Sequence, residues 1–135
     1  MIELVWDTAR VGTATSSSGA TLTVGDHSAF SPDDLMAAAV ASCVMRTFLR
    51  RASEGGLSIL SYAATAETWG SGQSADTPGV VVHVYLLAPA GADTQRLTDL
   101  VAESAQASPI AQRLACLPTV TSDVRVLYRP DGTLQ

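Results

Sequence analysis

Residues 31–46 read Ser31-Pro32-Asp33-Asp34-Leu35-Met36-Ala37-Ala38-Ala39-Val40-Ala41-Ser42-Cys43-Val44-Met45-Arg46, and the way this stretch folds decides the rest. Serine is a favoured helix N-cap, and proline suits the first helical position. Asp33 and Asp34 complement the positive end of the helix dipole. The helix runs to about Glu54, where Gly55-Gly56 supplies a stop. From Leu35 to Met45 it carries no charge on any side. A helix exposed along one side would show polar residues there. The pattern therefore predicts a central helix buried nearly all round over that stretch. Its alanines let neighbouring elements approach closely.

Working outward, residues 1–30 read as short strands. Ile2 to Trp6 alternates loosely, and Thr21 to Val24 follows a hairpin tip at Ser16-Ser17-Ser18-Gly19. Gly25 to Phe30 reads as a loop. After the helix, Leu57 to Trp69 reads as a long strand, and 71–76 as a loop. Val80 to Leu87 is a β-branched strand. Asp93 or Thr94 caps a second helix reaching about Ala107, with Leu97, Leu100, Val101 and Ala105 at helical spacing. Ser108-Pro109 repeats the cap signal and predicts a short third helix through about Ala115. Val120 to Tyr128 closes as a strand, and Arg129 to Gly132 forms a turn. Strands and helices mix without strict alternation, so the class is α+β, in one domain over 1–135.

Composition narrows the functions. Hydrophobic residues at 47% against 16% charged argue for a packed globule rather than disorder. The apolar lean suggests surface covered by another subunit. Net charge is −5, and the one basic cluster, Arg46, Arg50 and Arg51, lies within one helix, so no nucleic-acid stripe is present. Met1-Ile2-Glu3 does not open a signal peptide, and no apolar run approaches a membrane span. A cytoplasmic setting follows as an expectation. Two cysteines and two histidines far apart in sequence make no metal motif, and the cysteines read as free thiols. No cofactor is implied.

Cys43 is the residue with chemical potential. Its plain alternative is a buried small hydrophobe. Against that, Arg46 lies about one turn along the same face and Arg50 follows at i+7. A guanidinium beside a thiol favours the thiolate. A solvated helix end explains the arginines equally well. Asp33 lies ten residues before Cys43, about 15 Å along a straight helix, so the two cannot touch within it. Asp33 either offsets the dipole or acts through another segment or subunit. Cys116 reads as buried packing beside the last strand. His83 alternates with valines and reads as a face residue, and His27 sits in the loop before the helix. Trp6, Trp69 and Tyr85 read as core or interface aromatics.

The run from Ser31 to Cys43 resembles the signature helix of the OsmC/Ohr family, the osmotically inducible and organic hydroperoxide resistance proteins. The shared pattern is a proline, an acid, a leucine, an alanine-rich run and then a cysteine. Gly55-Gly56-Leu57, two long strands and a helix breaking at Ser-Pro follow in the same order. The resemblance covers about residues 10–128. It implies antiparallel sheets wrapped around a long buried central helix in an intertwined homodimer, and a thiol peroxidase with no metal or prosthetic group. It maps the peroxidatic cysteine to Cys43 and the acidic partner to Asp33. Arg10-Val11-Gly12-Thr13-Ala14 resembles the family's arginine motif, which makes Arg10 the thiolate-activating candidate. Arg46 is the alternative activator.

One position departs from the pattern. The family's resolving cysteine precedes a proline late in the chain, where this sequence has Ser108-Pro109. Serine forms no disulfide, so the resemblance implies a one-cysteine reaction with an external thiol or dithiol as reductant. Cys116 is a weaker stand-in. Leu35, Met36, Val40 and Val44 are expected to wall a pocket for an organic hydroperoxide. A non-catalytic small-ligand binder or redox sensor on the same fold is the competing expectation, and a structural dimer module with an inert Cys43 is a third.

Overall fold

The computed structural model describes residues 1–26, 29–69, 79–114 and 118–127. His27, Cys116, Tyr128, the 71–76 loop and the 129–132 turn lie outside these. The chain divides into two compact units, Met1–Met36 and Ala37–Gln135.

The first unit is a three-stranded antiparallel meander of β1 (Ile2–Thr8), β2 (Val11–Ser16) and β3 (Thr21–Gly25), in the order β1-β2-β3. β2 falls within residues 1–30, expected as short strands, but the sequence expectation gives it no bounds. Its Gly, Thr, Ala and Ser show no apolar alternation, and it becomes a strand by being paired on both edges. The β2–β3 register pairs Val11 with Gly25 and Thr15 with Thr21, which places the turn at Ser16–Ala20. The β1–β2 turn contains Ala9 at φ 47, whose carbonyl accepts the Trp6 indole N–H at 2.7 Å.

Helix α1 (Pro32–Glu54) begins in the first unit and continues into the second. Its start is a reciprocal capping box. The Asp34 amide donates to Ser31 Oγ at 3.1 Å, and the Ser31 amide donates to Asp34 Oδ2 at 3.0 Å. Its end is a Schellman closure: Leu57 N–H donates to the Ala52 carbonyl at 2.8 Å and Gly56 N–H to that of Ser53 at 3.1 Å, with Gly56 at φ 69.

The second unit adds β4 (Ser61–Trp69), β5 (Gly79–Ala88), helix α2 (Thr94–Ala107), one 3-10 turn (Ala111–Arg113) and β6 (Thr119–Val126). Its sheet runs β4-β5-β6. Here the expectation of antiparallel sheets is corrected. β4 and β5 pair antiparallel, but β5 and β6 pair parallel, because the α2 crossover returns the chain to the same end of the sheet. The third helix is also corrected to a single 3-10 turn. Ser108 caps α2 in an extended conformation (ψ 125), which leaves three residues for the next turn. β4 starts at Ser61 rather than Leu57, since Leu57 closes the helix stop.

The core lies in this second unit. The inward face of β5 (Val80, Val82, Val84, Leu86, Ala88) packs with Leu97, Leu100, Val101 and Ala105 of α2 and with Ala37, Val40, Val44, Phe48 and Ala52 of α1. The α1 residues recur every three or four positions, which is one stripe of the helix. The expected burial nearly all round is corrected accordingly. Within Leu35 to Met45, Ala38 and Ser42 are exposed and Met36 is 47% exposed, because a single chain covers one side of the helix only.

Candidate functional site

Cys43 sits at the edge of the buried stripe of α1, half-buried and with a free thiol. Helical spacing puts Arg46 at i+3, Thr47 at i+4 and Arg50 at i+7 along the same side. Arg46 and Arg50 are exposed and Thr47 is buried. The thiol thus lies where the core stripe meets a charged strip.

Asp33 is exposed at the start of the helix. The capping box engages its neighbour Asp34, so Asp33 is the acid of the pair with no part in the cap. The expected pocket wall divides. Leu35 lines a hollow in the first unit, and Met36 is exposed. Val40 and Val44 are fully buried in the core cluster, so their side chains serve packing and leave the expected wall.

Ser108 is fully buried, and its hydroxyl has no hydrogen-bond partner among the described residues. It therefore makes no hydrogen bond to the Cys43 sulfur. Tyr62 carries the other buried hydroxyl without a partner among the described residues. Burial pushes its pKa from 10.0 up to about 12, because the phenolate would lose solvation. Its ring packs on Phe48 at 5.7 Å between centroids.

Arg10 stands in the first unit, at the β1–β2 turn. Its Nε pairs with Asp26 Oδ2 at 2.7 Å, and the Asp26 amide donates to the Arg10 carbonyl at 3.2 Å. Gly25 makes this approach possible. At φ +132, a Cβ there would lie 2.1 Å from the Arg10 carbonyl oxygen. Sequence reasoning missed Asp26, which it left in a loop. The signal was available, because a hairpin folded about Ser18 pairs residue 11 with 25 and so brings 10 beside 26. Arg10 also lines a hollow of about 460 Å³ whose other walls include Leu4, Trp6, Val11, Val24 and Leu35.

On the outer face of the second sheet, His83 Nδ1 bonds Thr121 Oγ1 and the ring meets Tyr85 edge-on at 4.6 Å. Among the described residues no three His, Cys, Asp or Glu side chains group to hold a metal ion. Nor is any described helix long and apolar enough to cross a membrane.

No curated protein matches the chain. Solved structures do. An OsmC-like protein of unknown function from Vibrio cholerae matches with a TM-score of 0.75 at 16% identity, covering 92% of this chain and 97% of that one. An organic hydroperoxide resistance protein OsmC from Legionella pneumophila matches at 0.66 and 20% identity, covering 93% and 97%. The organic hydroperoxide resistance protein OhrB of Bacillus subtilis matches at 0.59 and 16% identity, covering 94% and 98%. At these identities the likeness is one of fold, and it agrees with the α+β class. The sequence model of the OsmC-like protein family matches residues 25–123, which hold the capped helix, Cys43, both long strands of the second sheet and α2. This chain belongs to the OsmC-like protein family.

Proposed function

We propose that this chain is a cysteine-based, thiol-dependent peroxidase. The family supports a peroxide-related redox role. The observation that carries the finer reading is Cys43, a free, half-buried thiol on α1 with Arg46 one turn along. In the proposed reaction the Cys43 thiolate attacks the distal oxygen of a hydroperoxide. The O–O bond breaks, the proximal oxygen leaves as alkoxide and takes a proton, and a sulfenic acid remains on Cys43. Sulfur loses two electrons and the peroxide gains them. Two equivalents of an external thiol, or one dithiol, then return the thiol and release water. Arg46 is one candidate cation on the same helix, Arg10 is the cation that the family resemblance assigns to activating the thiol, and Asp33 is its acidic counterpart. A homodimer in the cytoplasm is the proposed state, supported by exposed apolar residues such as Ile2, Leu4, Trp6 and Met36.

The test is peroxide consumption with added dithiol by wild type and by Cys43→Ser. Loss in the variant is expected, and equal rates refute the proposal. One observation favours a second reading. Ser108 stands where the resemblance places a resolving cysteine, and its hydroxyl engages no group among the described residues. A protein that stops at the sulfenic acid would act as a stoichiometric sensor. Mass spectrometry after sub-stoichiometric peroxide separates the two, since only the peroxidase returns repeatedly to the thiol.

A further inference from the structure

Where the end of α1 meets α2, a hollow of about 320 Å³ is lined by Arg50, Arg51 and Glu54 of α1 and by Arg96, Leu100 and Glu103 of α2. All six lie in the second unit. Leu100, 2% exposed, is the apolar part of the lining. The three arginines and two glutamates give the hollow one net positive charge, in a chain whose net charge is −5. One pair is settled internally. Arg96 Nη1 donates to both carboxylate oxygens of Glu103, at 3.2 and 3.4 Å. Arg50 and Arg51 make no ion pair among the described residues, although Glu54 follows them at four and three positions. Two adjacent guanidiniums at one hollow repel each other, and no described carboxylate offsets that repulsion. The negative end of α1 is engaged by its own backbone. The carbonyls of Arg51, Ala52 and Ser53 accept the amides of Gly55, Leu57 and Gly56 at 2.9, 2.8 and 3.1 Å. A guanidinium donates two parallel N–H groups to two oxygens of a carboxylate or phosphate. A carboxylate brings one charge and two oxygens, enough for one such fork. Two uncompensated forks match a dianion with more oxygens.

We infer that this hollow binds a phosphate dianion, either free or as the head of a small phosphate monoester. Arg50 and Arg51 neutralise its charge from α1. Arg96, with its other nitrogens uncommitted among the described residues, adds donors from α2. Glu54 faces the same hollow and opposes the dianion. The lining is charged apart from Leu100, so recognition rests on the head group rather than on an apolar body. The site stands whether or not Cys43 turns over peroxide. The Arg96–Glu103 pair is about half exposed on each side, so loss of Arg96 changes folding little.

The experiment is isothermal titration of the full chain at low salt and about pH 8, where a phosphate monoester carries close to two charges. The probes are inorganic phosphate, phenyl phosphate and benzenesulfonate. Benzenesulfonate shares the ring and tetrahedral head of phenyl phosphate but carries one charge. Wild type is expected to bind phenyl phosphate about fivefold more tightly than benzenesulfonate. Arg51→Gln and Arg96→Gln are each expected to weaken phenyl phosphate about fivefold. Glu54→Gln is expected to tighten it about threefold, a gain that misfolding does not produce. Arg113→Gln removes the same charge from an exposed arginine outside the hollow and is expected to leave the affinity unchanged. Equal affinity for phosphate and phenyl phosphate supports a site for the head alone, and tighter binding of phenyl phosphate supports a monoester site. No binding at millimolar phosphate or phenyl phosphate overturns the inference. So does an equal loss in Arg113→Gln, an unchanged affinity in Arg51→Gln and Arg96→Gln, or equal affinity for the two ring probes.

Discussion

Replacing Ser108 by alanine should make this protein more stable. The side chain is fully buried, and its hydroxyl has no partner among the described residues. A buried polar group without a hydrogen bond costs about 1–3 kcal/mol in lost hydration. Removing one oxygen leaves a gap of about 15 Å³, which at about 24 cal/mol per Å³ costs about 0.4 kcal/mol. The backbone at φ −61 and ψ 125 is open to alanine, and the Ser108 carbonyl keeps its bond from the Gln112 amide. The net gain is then about 1–2 kcal/mol. Unfolding entropy of about 2.1 cal/mol/K per residue over 135 residues converts this to a rise in Tm of about 4–7 °C. The assay is thermal and urea unfolding followed by far-ultraviolet circular dichroism. Ser108→Cys serves as the comparator, since it keeps the side chain's shape with a weaker demand for a partner. A fall in Tm for Ser108→Ala would refute the reasoning, because it would mean that the hydroxyl is hydrogen-bonded in solution.

Tyr62 predicts a pH dependence. Its folded pKa of about 12 stands above the unfolded 10.0, so its contribution is complete below pH 10 and is lost as pH rises toward 12. The side chain keeps some solvent contact, which reduces the loss to about 1 kcal/mol. All eight basic residues are arginines, so no lysine titrates in this window, and Tyr62→Phe should flatten the alkaline fall in urea midpoint. Ser31→Ala removes one half of the capping box and should cost about 1 kcal/mol in the same unfolding assay.

What the sequence disclosed follows the range of the interactions involved. Both ends of α1 are local. Ser31 and Asp34 are three residues apart and Gly56 needs only its own φ, so the helix is readable at each end to the residue. Asp93 behaves alike, accepting the Arg96 amide at 3.0 Å. The bounds of β2 are not readable within its own residues, because its partners on both edges make it a strand. The direction of β6 depends on a crossover that no spacing within β6 records. At the candidate site, Cys43 and its arginines share one helix and emerge from spacing alone. Val40 and Val44 pack in the core cluster, and the sequence does not separate that place from a pocket wall because apolar residues look the same in both. Asp26 depends on the hairpin register: the tip at Ser16–Gly19 is readable, and only counting outward from it to residues 10 and 26 brings the pair together.

The parallel seam between β5 and β6 has a consequence for how this chain can be cut. β5 is the middle strand and the most β-branched segment of the molecule, with Val80, Val81, Val82 and Val84 in close succession. Its second edge is protected only by a strand that arrives about thirty residues later, after α2. A chain ending before Thr119, or a nascent one that has not yet delivered it, would present that edge bare. Unpaired, flat and apolar, it would recruit other strands. Truncation from the carboxyl side should therefore yield insoluble aggregate rather than a smaller soluble fragment.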